Sequence, residues 1–155
     1  MSDGQIPINP GDYPIDSVAL DESEVYTVEL KRIGLATKFD KGGYLYCNLL
    51  TEVVGGDYEG KPLSANYIPL LVPINEDMTK GERIKAQDKS VAFARFARAF
   101  KIDNAPIVES PADQERFNQW ADMHIGKTGK VTISNQEFPE GSGRMRSSIK
   151  DFVVG

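Results

Sequence analysis

Hydrophobic and polar residues change period twice along the chain, and each change marks a change of element. "VYTVELKRI" (Val25 to Ile33) alternates and is rich in β-branched residues, which predicts a first strand. The following "LATKFDKGG" reads as a loop or bent continuation that closes at Gly42-Gly43. "YLYCNLLTEVV" (Tyr44 to Val54) alternates again and predicts the second strand. Leu45, Cys47, Leu49, Thr51 and Val53 share one face, and Tyr44, Tyr46, Asn48, Leu50 and Glu52 share the other. After a glycine-rich turn, "SANYIPLLVP" (Ser64 to Pro73) predicts a third strand. Its Pro69 and Pro73 put it at an edge or end it at a bulge.

The period then lengthens from two to about 3.6. In "DKSVAFARFARAF", Phe93, Phe96, Ala97 and Phe100 fall at helical spacing, with Asp88 as the expected N-cap. Lys89, Arg95, Arg98 and Lys101 occupy much of the remaining circumference. A second helix is predicted from "SPAD", where Ser110 caps, Pro111 fits the first turn and Asp113 completes a capping pattern. It runs through Phe117, Trp120, Ala121 and His124 and stops at Gly126. Alternation returns in "GKVTISNQEF" (Gly129 to Phe138) and "RMRSSIKDFVV" (Arg144 to Val154), joined by the turn "PEGSG". Phe93, Phe96, Phe100 and an inert Cys47 thiol are expected in the core, and Trp120 between the second helix and the strands. His124 is expected to face the dipole at that helix's C-terminus.

Three strands, a helical insertion and two strands make the order of a mainly β, five-stranded OB-fold barrel. Residues 1–21 form an irregular acidic arm in which Pro7, Pro10 and Pro14 interrupt regular pairing. Residues 22–155 form the OB-fold domain, with the helical insertion at about 88–125. A chain of 155 residues suits one domain with its own hydrophobic core.

Composition narrows the function classes. Charged residues are 26% and hydrophobic ones 40% of the chain, an ordinary globular balance. No apolar run approaches the roughly 20 residues of a membrane span. The opening "MSDGQIPINPGDYPID" lacks the basic and apolar regions of a secretory signal. A single cysteine excludes an intramolecular disulfide and fits a reducing compartment, so a cytoplasmic protein is expected. One His and one Cys cannot build a Cys/His zinc site, and "QWADMHIG" around His124 carries no nucleophile motif. With no phosphate loop or dinucleotide fingerprint, the expectation is a protein without enzymatic activity, metal or cofactor.

The net charge of −5 argues against a generic nucleic-acid binder, but its distribution changes the picture. Residues 1–29 carry Asp3, Asp12, Asp16, Asp21, Glu22, Glu24 and Glu29 without a Lys or Arg. Between residues 31 and 41 the balance reverses, with Lys31, Arg32, Lys38 and Lys41 against Asp40. Arg144, Arg146 and Lys150 add a second basic group. OB-folds bind oligonucleotides across the face of strands two and three. Tyr44, Tyr46, Tyr67 and the loop residue Phe39 are therefore candidates for stacking on bases. Each stacked base contributes roughly 1–3 kcal/mol without demanding sequence. Lys38, Lys41, Arg144, Arg146 and Lys150 are the candidate phosphate contacts. Lys31 and Arg32 fall on opposite faces of a regular strand, so at most one joins a site. The plainer reading stays open, with the tyrosines covering the barrel's outer surface and the cations simply solvated.

Lys41-Gly-Gly-Tyr before an alternating strand, "VVGGDYEGKPL" (Val53 to Leu63), "NPGDY" (Asn9 to Tyr13) and the closing "IKDFVV" together carry a resemblance. The chain resembles phage-encoded OB-fold proteins that bind single-stranded DNA. The resemblance implies single-stranded DNA as the partner, a role in replication or recombination, and contacts with other proteins of those systems. The acidic, partner-recruiting tail common in that family is not matched by the ending "KDFVVG". The alternative is a β-barrel protein-protein interaction or structural module of a viral assembly, which suits the acidic composition.

Overall fold

The structure, a computed structural model, describes Asn9 and residues 20–36, 46–109, 111–137, 139–142 and 144–154. Five strands, β1 (Tyr26–Leu35), β2 (Tyr46–Val53), β3 (Pro62–Pro69), β4 (Thr128–Glu137) and β5 (Met145–Phe152), close into a barrel in the order β1-β2-β3-β5-β4. Neighbours are antiparallel except β3 and β5, which meet in parallel at Ser64 and Ser148. Two helices, α1 (Lys80–Ala99) and α2 (Gln114–Asp122), lie between β3 and β4. The architecture is the five-stranded OB-fold barrel that the alternation predicts.

Alternation on β2 sorts its side chains as expected. Cys47, Leu49, Thr51 and Val53 are buried, and the Thr51 hydroxyl donates to the Leu63 carbonyl at 2.9 Å. Desolvation pushes the Cys47 thiol up to about 12, so it stays protonated and unreactive at neutral pH. Leu20 is also buried in the core, ahead of β1. Its carbonyl accepts from Asn135 Nδ2 at 2.7 Å, and Glu22 Oε1 accepts from the Asn135 backbone N–H at 2.6 Å. The approach to β1 is thereby fastened to β4.

Helix α1 begins well before the expected Asp88. Thr79 is its N-cap and forms a capping box, accepting from Glu82 N at 3.1 Å while Glu82 Oε1 accepts from Thr79 N at 3.2 Å. The aromatic spacing marks only the half of the helix that packs. Phe93 and Phe96 are buried there, with Phe100 at the C-cap. Phe96 and Phe100 close on Phe152 of β5, with ring centroids 5.6 and 6.2 Å away. The first half buries Ala86 alone, so its boundary is legible in the cap and not in hydrophobicity.

Helix α2 follows a 3-10 turn at Pro111–Asp113 and packs on β1. The Asp113 carboxylate accepts from Glu109 N at 2.9 Å and pairs with Arg116 at 3.0 Å, while Ser110 lies outside the described residues. Trp120 joins the two helices. It stacks on Phe93 with centroids 5.9 Å apart, and its indole N–H donates to the Asn104 carbonyl at 3.0 Å. Among the described residues, no helix is long and apolar enough to cross a membrane.

His124 corrects an expectation. It lies past the end of α2, only 6% exposed, edge-on to Trp120 with centroids 5.1 Å apart. Neither ring nitrogen has a partner among the described residues. Desolvation first, and the Lys127 cation second, push its pKa below the ordinary 6.5, with Asp103 opposing. It packs edge-on against Trp120, and desolvation, the largest cause, sets the direction of its shift.

A group whose folded pKa is depressed takes up its proton more readily once unfolded. Stability therefore falls as pH drops below about 6.5, the unfolded value, toward the lower folded one. His124→Phe keeps a ring against Trp120 without the proton. Its thermal midpoint should decline less across that window than the parent's. Parallel declines would place the acid sensitivity elsewhere.

Candidate nucleic-acid interface

The outward face of β2 presents Tyr46, Asn48, Leu50 and Glu52. Strand register carries this face sideways around the barrel. Arg32 of β1 pairs with Leu50, Leu50 with Ser64 of β3, and Ser64 with Ser148 of β5. All four are partly or well exposed, so a continuous cross-strand row runs over the outside from β1 to β5.

Two bulges decide what stands beside that row. In β1 the register slips between Leu30 and Arg32, leaving Lys31 as the extra residue. The slip lets Leu30 and Ile33 both point inward, and it sets Arg32 outward opposite Leu50. Lys31 turns to Glu29, which it contacts closely, and to Glu52 at 3.8 Å. Its pKa is raised, by the Glu29 hydrogen bond above all. Glu29 and Glu52 sit opposite one another across β1 and β2, so Lys31 relieves a like-charge pair. Arg32 makes no side-chain hydrogen bond or ion pair with the described residues. It lines a shallow groove of about 300 Å3 with Asn48, Leu50, Ser64 and Asn66.

In β3 the register slips opposite Asn48, where Cys47 pairs with Ile68 and Leu49 with Ala65. Two residues, Asn66 and Tyr67, therefore face one. Tyr67 adopts a left-handed backbone with φ of 57°, a conformation that costs a residue of its size free energy. Its N–H donates to Asn48 Oδ1 at 2.8 Å, so the Asn48 side chain replaces the ladder bond that the bulge removes. The Tyr67 side chain is left 55% exposed, its ring edge-on to Tyr46 with centroids 6.3 Å apart. Lys89 of α1 closes the group. Its Nζ lies 5.5 Å from the Tyr46 ring centroid and 3.4 Å from the phenol oxygen.

Of the residues picked out from the sequence, Tyr46 and Tyr67 are brought together. Arg146 and Lys150 are exposed on β5; Arg146 lies two residues from Ser148, and Lys150 sits where the β4–β5 register slips. Arg144 is exposed in the β4–β5 connection, its N–H donating to Ser142 Oγ at 3.2 Å. Lys38, Phe39, Lys41 and Tyr44 lie outside the described residues. Arg32, Asn48 and Lys89 join the face without having been singled out for it. Arg32 was legible only as one of two alternatives, because the bulge that chooses it leaves no mark in the alternation. Asn48 was legible as outward, but its role needs the β3 bulge. Lys89 reads as an ordinary helix-surface cation until α1 is docked.

The arrangement offers an exposed aromatic ring, a second ring beside it and cations on two sides. That set suits a planar, electron-rich group attached to an anion. In comparison with known proteins, the chain matches no family model and no curated protein.

Asn48→Ala removes the acceptor of the Tyr67 N–H and should cost about 1 kcal/mol of stability in urea unfolding. Asn48→Asp, which retains an acceptor oxygen, should lose less. An unchanged midpoint in Asn48→Ala would show that the bulge holds without this bond.

Proposed function

We propose that the protein binds single-stranded DNA with little sequence preference, across the outer face of β2 and β3. The observation that carries this reading is the Tyr67 bulge. A large side chain is held in an unfavourable backbone conformation, exposed beside Tyr46. Backbone strain of this kind persists where the surrounding structure fixes it, and it concentrates at functional sites. Bases stack on such rings irrespective of identity, and in this reading Arg32 and Lys89, which border the face, meet the phosphates between them. Arg146 and Lys150 extend the path along β5, and Arg144 stands in the β4–β5 connection, one of the loops by which OB-folds grip oligonucleotides. The resemblance to phage single-stranded DNA-binding proteins supports the same reading. It suggests a role in a phage-like replication or recombination system in the host cytoplasm. Nothing in this role calls for catalysis, a metal or a cofactor. The alternative, a barrel serving only protein contacts, draws its support from the net charge of −5.

Fluorescence anisotropy with labelled dT oligonucleotides at several salt concentrations tests the reading. Affinity should fall as salt rises, because phosphate contacts release counterions, and duplex should bind far more weakly. Tyr67→Ala should lose roughly 1–3 kcal/mol, while Tyr67→Phe binds nearly as well as the parent. Arg32→Ala should reduce the salt slope by about 0.7, the single-strand value for one phosphate contact. A flat salt dependence, or equal affinity for duplex, would refute the interface.

A further inference from the structure

Helix α1 has a second side that the barrel does not use. Phe93 and Phe96 are buried, whereas Val91, Ala94 and Arg98 recur at three- and four-residue spacing on the side turned away from them. This side forms one wall of a groove. The chain after β3, from Leu71 to Ile74, lines it too, as does the stretch from Ile102 to Ile107 ahead of α2. Two adjoining cavities of about 700 and 760 Å3 share Leu71, Ala94, Arg98 and Ala105, so the groove is continuous. Leu71, Ile74, Val91, Ile107 and Val154 line it and are each between 41% and 54% exposed. Five half-exposed aliphatic side chains along one groove make it the candidate docking surface on this side of the molecule.

Charge chooses the occupant. Arg98 and Lys101 border the groove, and the side chain of neither makes a hydrogen bond or ion pair with the described residues. Arg95 is engaged elsewhere, with Asp151 at 2.9 Å and the Phe152 carbonyl at 2.9 Å. Asp103 is the carboxylate in the lining. An aliphatic floor beside two cations that outnumber the lining carboxylate complements a chain segment that sets carboxylates next to large apolar side chains. A second copy of this surface is a poorer match, since a two-fold contact offers each pair of cations one carboxylate, Asp103. Nucleic acid fits poorly as well, because among the described residues no aromatic ring lines the groove for a base to stack on.

We infer that this groove docks an acidic, apolar peptide segment of a partner protein. Among the described residues it shares no lining residue with the Tyr46–Tyr67 face, so one molecule has room for DNA and partner together.

The test uses the full chain and a fluorescein-labelled peptide of alternating Asp and Leu, followed by anisotropy. Saturable binding is expected, weakened about tenfold or more by Arg98→Glu and by Val91→Asp, the scale of losing an interface anchor. Tyr67→Ala should bind the peptide like the parent. Peptides alternating Lys with Leu, or Asp with Ser, should bind poorly. Val91→Ser, which leaves the charge unchanged, should bind the acidic peptide more weakly while its thermal midpoint and its affinity for a dT oligonucleotide stay at the parent values. Equal binding to parent, Arg98→Glu and Val91→Asp would overturn the inference, as would displacement of the peptide by the oligonucleotide. Sedimentation showing a dimer that Val91→Asp dissolves would overturn it too, because the groove would then belong to a second copy.

Discussion

A closed barrel gives each strand one inward side, and the three strands of the candidate interface meet that constraint differently. Strand β2 meets it without a break, burying Cys47, Leu49, Thr51 and Val53. Strand β1 must deliver Leu30 and Ile33, three positions apart, and only a residue turned out of register allows it. Strand β3 must deliver Leu63 and Ile68, five apart, and does so through the bulge at Asn66 and Tyr67. The exposed positions of Arg32 and Tyr67 follow from these internal fits. The surface that looks suited to a ligand is thus set by how the core is filled.

The left-handed Tyr67 shows how such a fit is held. A non-glycine residue there costs on the order of 1–3 kcal/mol, and the Asn48 hydrogen bond offsets part of it. Burial of Ile68 on the next position offsets more, since a fully buried aliphatic side chain contributes about 1.5–3 kcal/mol. The strain is local, and the gain belongs to the whole barrel. Electrostatics on the same face follow a similar division. Lys31 is held by Glu29 and Glu52, which leaves Arg32 as the β1 cation open to an anion.

The helical insertion is tied in by aromatic contacts more than by strand pairing. Phe93, Phe96 and Phe100 meet Phe152 and Trp120, and Trp120 in turn meets Phe117 and His124. Because this cluster uses one side of α1, the opposite side is left to line a groove. The same helix also brings Lys89 to Tyr46. One element therefore serves the core, the proposed DNA face and the proposed partner groove from different parts of its circumference.

The sequence by itself determined the order of elements, the inward residues of β2 and the core phenylalanines of α1, because those follow from period and local sterics. Thr79 and Glu82 also encode the start of α1, although the aromatic spacing directs attention to Asp88. Period is silent on register slips, since a bulge reads as a lapse in alternation that many loops share. For that reason Arg32 against Lys31, the outward turn of Tyr67 and the role of Asn48 were settled only when the strands were paired. His124 makes the same point for charge. Its place near a helix end is written in the chain, but the ring that Trp120 shields from water exists only in the folded protein. Desolvation is a property of everything packed around a group, and no spacing along the sequence reports it.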